Sequence, residues 1–216
     1  MQNTDNKRLD WLKWRTFGVG GSDVPAIMGD SPYSNILDIY DSKINPVQEK
    51  EPNYAMALGN KLEPIARSTY ELLTGNDFPA ANFVHASKPY LRVSLDGYNL
   101  ELNKAIEVKY CGRTFTDSVP LKYKAQVQYQ FMVTNCKELD MVQINNMNNI
   151  NVIKIERDDE YILKLIEKVD WFWACVQKRD RASIEAYYET IKPVKKARKK
   201  KVKAEAVTEE CLQWLI

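Results

Sequence analysis

Apolar and polar positions along this chain repeat with two different periods. A repeat of three to four residues predicts helices with one buried face over residues 54–76, 121–135, 158–177 and 181–191, with shorter helices around Leu12 and Ile27. Alternation of every second residue predicts strands over residues 82–88, 90–96, 139–145 and 152–156, and a hairpin over residues 94–110. This order of elements predicts an α/β (α+β) fold, in which a mixed central sheet is flanked by helices on both faces.

The predicted hairpin carries the most informative charges. Its polar turn lies midway between Asp96 and Glu107, so these two residues are expected to lie opposite each other and on the same face of the sheet. Lys109 is two positions beyond Glu107 and therefore shares that face. The sequence thus predicts that two carboxylates and one ammonium group converge.

Such a cluster suits a magnesium site. Mg²⁺ prefers oxygen ligands, usually one or two carboxylates completed by water and substrate phosphate, and Asp96, Glu107 and the carbonyl of Val108 could supply the protein's share. Lys109 would then hold an attacking water and stabilise charge on a phosphate. The alternative is a solvated strand face with a cross-strand salt bridge. The apolar residues around the pair favour the metal site.

A glycine-rich turn follows the first predicted helix. Ser22 or Asp23 is expected to cap the helix through Ile27, and backbone N–H groups at such a helix start favour anions. Arg15, just upstream, could add a phosphate contact or form an ordinary surface salt bridge. The glycines are not interpreted as a dinucleotide-binding fingerprint, because no apolar strand precedes them.

Two further helices carry candidate residues. In the helix over 54–76, Glu63 directly precedes Pro64 and could point at the sheet, or pair with Arg67 one turn later. Lys122 and Lys124 lie in the first turns of the next long helix, where the helix dipole disfavours cations. A phosphate partner is therefore predicted for these two lysines.

Composition excludes several classes of protein. The chain has 216 residues with 44% hydrophobic content, which predicts one domain over residues 1–191, followed by a tail over 192–216. Its single histidine, His85, excludes multi-histidine metal sites and HExxH proteases, and its four cysteines are far apart and expected to be reduced. We find no apolar run of membrane-spanning length and no signal-peptide pattern, so an intracellular, soluble protein is expected.

The net charge of +2 is unevenly distributed. The segment KPVKKARKKKVK at 192–203 holds eight basic residues and no acidic one, so the other residues together carry a net charge of −6. Such a run is either a solvated tail or an element that adds affinity for DNA. The apolar residues that follow it are expected to form a short docking helix.

Four blocks of sequence resemble the lambda-exonuclease-like (YqaJ-type viral recombinase) family of the PD-(D/E)XK nuclease superfamily. They are WRTFGVGGSDVPAIMG at 14–29, MALGNKLEPIAR at 56–67, SLDG at 94–97 with EVK at 107–109, and AQVQYQFMVT at 125–134. The segment at 155–162 is similar as well. The resemblance implies that the core follows the family's order of elements, αβββαβ.

The resemblance also implies roles for individual residues. Asp96 and Glu107 match the family's metal-binding acids, with Lys109 as its catalytic lysine. Glu63 matches the helical acid near the metal, and Gln126 matches the first glutamine of a QxQ motif. The positions implied for a pocket that binds the 5′-phosphate of the cut strand are Arg15, Ser22 and Ser94.

The activity that the resemblance implies is Mg²⁺-dependent 5′-to-3′ digestion of one strand of linear duplex DNA. The product would be a 3′ single-stranded tail for recombination with a single-strand annealing protein, and Mn²⁺ is expected to replace Mg²⁺. A homotrimer in the cytoplasm of a bacterium or phage-infected host is expected. The alternatives are an endonuclease of the same superfamily and a non-catalytic module that binds DNA ends.

Overall fold

The computed structural model of the protein describes residues 2–45 and 53–192, with side chains from residue 8 onward. Its helices are α1 (Gln2–Thr16), α2 (Val24–Met28), α3 (Ile36–Ile44), α4 (Tyr54–Thr74), α5 (Leu121–Thr134), α6 (Asp159–Lys178) and α7 (Arg181–Ile191). Its strands are β1 (Val19–Gly20), β2 (Ala81–Val84), β3 (Leu91–Leu95), β4 (Gly97–Asn99), β5 (Lys104–Tyr110), β6 (Glu138–Ile144) and β7 (Ile150–Ile155). The tail after Lys192, with its basic run and the apolar segment that follows, lies outside the described residues.

The strands form two hydrogen-bonded sheets, and β3 of the smaller sheet leads directly into β4 of the larger one. The larger sheet has the order β4-β5-β6-β7, and its central pair β5 and β6 is parallel while the outer pairs are antiparallel. The smaller sheet has the order β1-β3-β2. The chain passes from the smaller to the larger sheet between β3 and β4, at Asp96. Between α4 and α5 the chain forms four strands, β2 to β5, and β6 and β7 follow α5. The predicted α/β fold with mixed strand directions is confirmed, but the strands divide between two sheets instead of one.

Gly97 is required where the chain changes sheets. A Cβ atom at this position would lie 2.7 Å from the backbone oxygen of Phe78 and 2.8 Å from the Ile106 side chain. Only glycine allows such a close approach of the backbone. The Asp-Gly pair therefore marks the crossing between the sheets as well as the end of β3.

Helices cover both faces of the larger sheet, and the packing of alternate strand residues shows which helices cover each face. Ala105 and Met141 pack into the cluster formed with α5 and α6. Ile106 and Val142 face the opposite way and pack against α4. Since side chains alternate along a strand, Glu107 and Lys109 share the face of Ala105, which is the face covered by α5.

Helix α4 is fixed to the sheet by a buried polar contact. The Tyr70 hydroxyl donates a hydrogen bond to Asp140 Oδ2 at 2.7 Å, and Lys104 Nζ lies 2.8 Å from the same oxygen. Burial raises the pKa of Tyr70 to about 12, so the phenol is protonated and acts as a donor. This contact sets the position of α4, whose preceding turns carry Glu63 and Arg67.

Two predicted boundaries in this region have different outcomes. Helix α4 runs through Pro64 and ends at Thr74, close to the predicted end at 76, and Gly75 with a φ of +69° forms a left-handed C-cap. The predicted strand over 82–88 is too long, because β2 ends at Val84. His85 Nδ1 instead accepts hydrogen bonds from the N–H groups of Ser87 and Lys88, both at 3.2 Å, and stabilises a turn.

Candidate active site

Asp96 lies at the bend between the two sheets and is held from both sides. Its Oδ2 accepts a hydrogen bond from the Val108 N–H at 2.7 Å, and its backbone carbonyl accepts one from Arg67 Nη1 at 2.6 Å. Within a strand, the N–H and C=O of one residue point to the same side, so the Val108 carbonyl also faces the Asp96 side of β5. Asp96 and this carbonyl are therefore neighbours, as the hairpin prediction required.

The predicted register of the hairpin is confirmed. Gly97 pairs with Ile106 and Asn99 with Lys104. Continuing this register by one position places Asp96 opposite Glu107.

The Glu107 carboxylate accepts contacts from three side chains and is only 2% exposed. Lys109 Nζ and Gln126 Nε2 contact Oε1, the latter at 2.6 Å, while Gln130 Nε2 donates to Oε2. Gln126 and Gln130 are one helical turn apart and reach down from α5. A carboxylate offers about four acceptor positions, so three donors leave one position open to a further ligand.

The environment of this site disfavours the charged form of Asp96. Burial raises the pKa of Asp96 well above its usual value, and the negative charge of Glu107 raises it further. Burial alone would lower the pKa of Lys109, but the charges of Glu107 and Asp96 raise it above its usual value. Lys109 is therefore cationic at neutral pH, and an additional positive charge would stabilise the two carboxylates.

Glu63, on α4, is paired with Arg67 and lies near the acidic cluster. Its Oε1 lies 3.8 Å from Arg67 Nη1, which is the predicted pairing across one turn. Burial raises the pKa of Glu63, and the nearby charges of Glu107 and Lys109 act on it as well. Glu63 is thus close enough to interact electrostatically with the acidic cluster, and Arg67 links it to the Asp96 backbone.

The three residues assigned to a 5′-phosphate pocket are brought together through Trp11. The indole Nε1 of Trp11 donates to Ser94 Oγ at 3.0 Å, and the Arg15 guanidinium lies 5.0 Å from the centre of the Trp11 ring. Arg15 Nη2 also donates to Ser22 Oγ at 2.7 Å. The neighbouring Gly21 lies against the side chains of the two glutamines that contact Glu107. This group of residues therefore adjoins the acidic cluster.

Asp23 has a different role from the predicted helix cap. It occupies the N-cap position of α2, but its side chain makes no capping hydrogen bond there. Its carboxylate instead accepts from Gly20 N–H at 2.9 Å, Lys43 Nζ at 2.6 Å and Arg15 at 3.1 Å. Burial alone would raise the pKa of Asp23, but the positive charges of Lys43 and Arg15 outweigh it and lower that pKa. Asp23 therefore orients Arg15.

Lys122 and Lys124, for which a phosphate partner was predicted, have different partners. Lys124 Nζ forms an ion pair with Asp158 at 2.8 Å. Lys122 Nζ is hydrogen-bonded to the Tyr33 hydroxyl at 2.7 Å. Of these two lysines, Lys122 is therefore the one without an ion pair to an acid within the part of the chain that the structure describes.

The donor set fits a hard cation. No group of three or more His, Cys, Asp or Glu side chains in the described ranges is arranged to hold a metal ion. Asp96, Glu107 and the Val108 carbonyl together supply two carboxylates and one neutral oxygen, and water and substrate oxygens commonly complete such a set around Mg²⁺. The open acceptor position on Glu107 and the stabilisation that a further positive charge would bring are consistent with this use.

Sequence reasoning did not identify Gln130 and Arg67 as part of the site. Gln130 lies four residues after Gln126 and Arg67 four residues after Glu63, so helical spacing placed each on the same face as a recognised residue. That spacing was the available signal. The contacts themselves depend on how α4 and α5 pack on the sheet.

Solved structures of nucleases share this fold. The alkaline exonuclease LHK-Exo from Laribacter hongkongensis matches with a TM-score of 0.64 at 24% identity, over 84% of this chain and 96% of that chain. Its complex with dAMP matches with the same TM-score and coverage at 23% identity. A phage-related exonuclease from Haemophilus somnus 129PT matches with a TM-score of 0.55 at 16% identity, over 80% of this chain and 96% of that chain.

The fold defines the class: the described part of the chain has a lambda-exonuclease-like fold of the PD-(D/E)XK type. The sequence family model of the YqaJ-like viral recombinase domain matches residues 10–137, and the chain belongs to this family. The uncharacterized protein YqaJ of Bacillus subtilis (strain 168) is 25% identical in an alignment of 183 residues that covers 80% of this chain. The chain spans 57% of the length of that relative.

Proposed function

We propose that the protein is a Mg²⁺-dependent exonuclease that digests one strand of linear duplex DNA from its 5′ end. The observation that carries the proposal is the convergence of Asp96, Glu107 and Lys109 on one side of β5. Membership of a viral recombinase family supports a role in producing 3′ single-stranded tails for recombination by strand annealing.

Asp96, Glu107 and the Val108 carbonyl would hold the Mg²⁺, and Mn²⁺ would substitute because it accepts the same oxygen ligands. When bound, the ion would lower the pKa of a coordinated water and neutralise charge that develops on the phosphate. Gln126 and Gln130 hold the Glu107 carboxylate in a fixed orientation through their amide donors. Arg67 fixes the Asp96 backbone in the same way.

Lys109 acts as a cation in this mechanism. In the metal-free site the charges of Glu107 and Asp96 raise its pKa, which favours the cationic form. Its ammonium group would orient the attacking water by hydrogen bonding and stabilise negative charge on the phosphate oxygens. Glu63 would add a further negative charge at the edge of the site.

Arg15, Ser22 and Ser94 would bind the terminal 5′-phosphate. A guanidinium group with two hydroxyl groups is well suited to a phosphate, and Asp23 holds Arg15 in place. Fixing the DNA end beside Glu107 would place the next phosphodiester at the acidic cluster. This arrangement would give digestion a direction.

The family resemblance further supports a homotrimer that works with a single-strand annealing protein in the cytoplasm. None of the described helices is long and apolar enough to span a bilayer.

A strand-resolved digestion tests the proposed polarity. A linear duplex would carry a 5′-phosphate at one end and a 5′-hydroxyl at the other, with a different fluorophore near the 3′ end of each strand. With Mg²⁺, we expect the phosphorylated strand to shorten from its 5′ end while the other strand persists. Asp96→Ala is the inactive control. Loss of the 3′ labels first would contradict the polarity, and binding of DNA ends without cleavage would favour an end-binding module.

A further inference from the structure

An exposed tyrosine and an unmatched lysine lie next to the candidate active site and have no part in the mechanism above. We infer that Tyr33 and Lys122 bind one nucleotide of the DNA substrate, with the base stacked on the Tyr33 ring and a phosphate on the Lys122 ammonium. The inference rests on the proposed function for the identity of the substrate.

A continuous series of contacts joins these residues to Lys109. Lys109 Nζ lies 4.9 Å from the centre of the Tyr123 ring. Lys122 Nζ lies 4.8 Å from the centre of the same ring and 5.2 Å from that of Tyr33. Tyr123 is thus shared by the two lysines. A strand bound at the acidic cluster would therefore pass within reach of Lys122 and Tyr33.

Tyr33 presents an open aromatic face. Its residue is 75% exposed, and Lys122 Nζ lies nearer to its hydroxyl, at 2.7 Å, than to its ring centre. The hydrogen bond therefore holds the ring by its edge and leaves a face available for stacking. Every base has a π-face, so stacking on an aromatic side chain binds DNA without sequence preference. An exonuclease that moves along any sequence requires contacts of this kind.

Lys122 supplies a charge for a phosphate. Within the described ranges its ammonium has no carboxylate partner, whereas Lys124, on the same helix, is paired with Asp158. Hydrogen bonding to Tyr33 raises the pKa of Lys122, so it is cationic at neutral pH. A fixed cation beside an open ring matches the two parts of a nucleotide, the phosphate and the base.

Fluorescence of 2-aminopurine, which changes when the base stacks, provides the test. The analogue would replace one base at a time at the first three positions of each strand at a 5′-phosphorylated end. Binding would be titrated with Ca²⁺ in place of Mg²⁺, and the DNA checked for integrity afterwards. The variants are Tyr33→Leu, which removes the ring, and Tyr33→Phe, which keeps it. Circular dichroism would verify that each variant is folded.

We expect at least one position whose emission changes on binding to the wild type and to Tyr33→Phe but not to Tyr33→Leu. Tyr33→Leu should also bind about tenfold more weakly, as expected for the loss of one stacked base. Unchanged emission and affinity in Tyr33→Leu at every position would overturn the inference. Because binding is measured without cleavage, this result is independent of whether the wild type digests DNA with Mg²⁺.

The salt dependence of binding tests Lys122 separately. Lys122→Met should reduce the slope of log Kd against log salt concentration by about 0.9, the value for one duplex phosphate contact. Lys154→Met is the matched control, because Lys154 is an exposed lysine far from the candidate active site. It lies beside Glu138, which pairs with the first residue of β5, whereas Lys109 is near the other end of that strand. This control should leave the slope unchanged. Equal slopes in the two variants would overturn the assignment of Lys122.

Discussion

The two buried glutamines Gln128 and Gln130 are expected to respond in opposite ways to replacement by methionine. Methionine has a similar volume and no amide, so the change removes hydrogen bonds with little change in packing. The two residues are two positions apart on α5 and are 3% and 1% exposed. They differ in what their amides contact, and this difference sets the expected magnitudes.

For Gln130→Met, two effects on the free energy of unfolding oppose each other. The amide donates to the charged Glu107, and such a bond contributes about 1.5–3 kcal/mol. Its Oε1 is buried without a partner among the described residues, and removing an unpaired buried oxygen recovers about 1–3 kcal/mol. We therefore expect a net change within about 2 kcal/mol in either direction.

For Gln128→Met, both amide groups lose a partner. Nε2 donates to the Glu156 carbonyl at 2.7 Å, and Oε1 accepts from the Asp158 N–H at 2.8 Å. The change leaves two backbone groups without partners, and each costs about 1 kcal/mol or more. The expected loss of stability is about 2–4 kcal/mol, larger than for Gln130→Met.

For the rate of hydrolysis the order of the two variants should be reversed, with the larger effect from Gln130→Met. Gln130→Met releases Glu107 from one of its three donors and should slow hydrolysis by about tenfold or more, because small displacements of catalytic groups are costly. Gln128→Met should leave the rate per folded molecule nearly unchanged. Urea unfolding gives the stabilities and single-turnover digestion gives the rates. A Gln130→Met variant that is less stable than Gln128→Met, or that digests DNA at the full rate, would refute the reasoning.

Three further predictions concern the charged residues. Lys109→Ala should reduce the rate of Mg²⁺-dependent digestion by about 10²-fold or more, as for other groups that stabilise transition-state charge; a rate near that of the wild type would exclude its assigned role. Arg15→Ala should slow digestion of 5′-phosphorylated DNA far more than of 5′-hydroxyl DNA in parallel time courses, and an equal loss on both would argue against the pocket. The pKa of the Asp96 carboxyl is higher in the folded protein than in the unfolded chain. The metal-free protein therefore loses stability as pH rises above about 4, where this carboxyl ionises in the unfolded chain. Asp96→Asn should therefore gain thermal stability relative to the wild type as pH rises towards 8 in EDTA, and a constant difference in Tm would contradict the assigned burial.

Local patterns were sufficient to predict the acidic cluster. The turn between Asp96 and Glu107 sets the hairpin register, and the two-residue period of the strand sets which side chains share a face with Glu107. Both features are determined by residues close together in the sequence. The bend at Asp96, which places β3 and β4 in different sheets, was not predicted, because it depends on contacts of Gly97 with Phe78.

Contacts between distant segments account for the rest of what was missed. Gln130 reaches Glu107 across 23 positions, and Lys122 reaches Tyr33 across 89 positions. Both contacts depend on how α5 packs against the sheet and the loop before α3. No periodicity within a single segment predicts these contacts. From the sequence alone, Gln130 and Tyr33 therefore cannot be distinguished from ordinary surface residues.

The most direct test of the central claim is nucleotide release from linear and covalently closed circular duplex DNA, with Mg²⁺ and with EDTA. We predict that the wild type digests only the linear DNA and only with Mg²⁺, and that Asp96→Ala digests neither. Cleavage in EDTA, or undiminished cleavage by Asp96→Ala, would contradict a metal-dependent site at Asp96 and Glu107. Metal-dependent cutting of the circle by the wild type would assign the same site to an endonuclease instead.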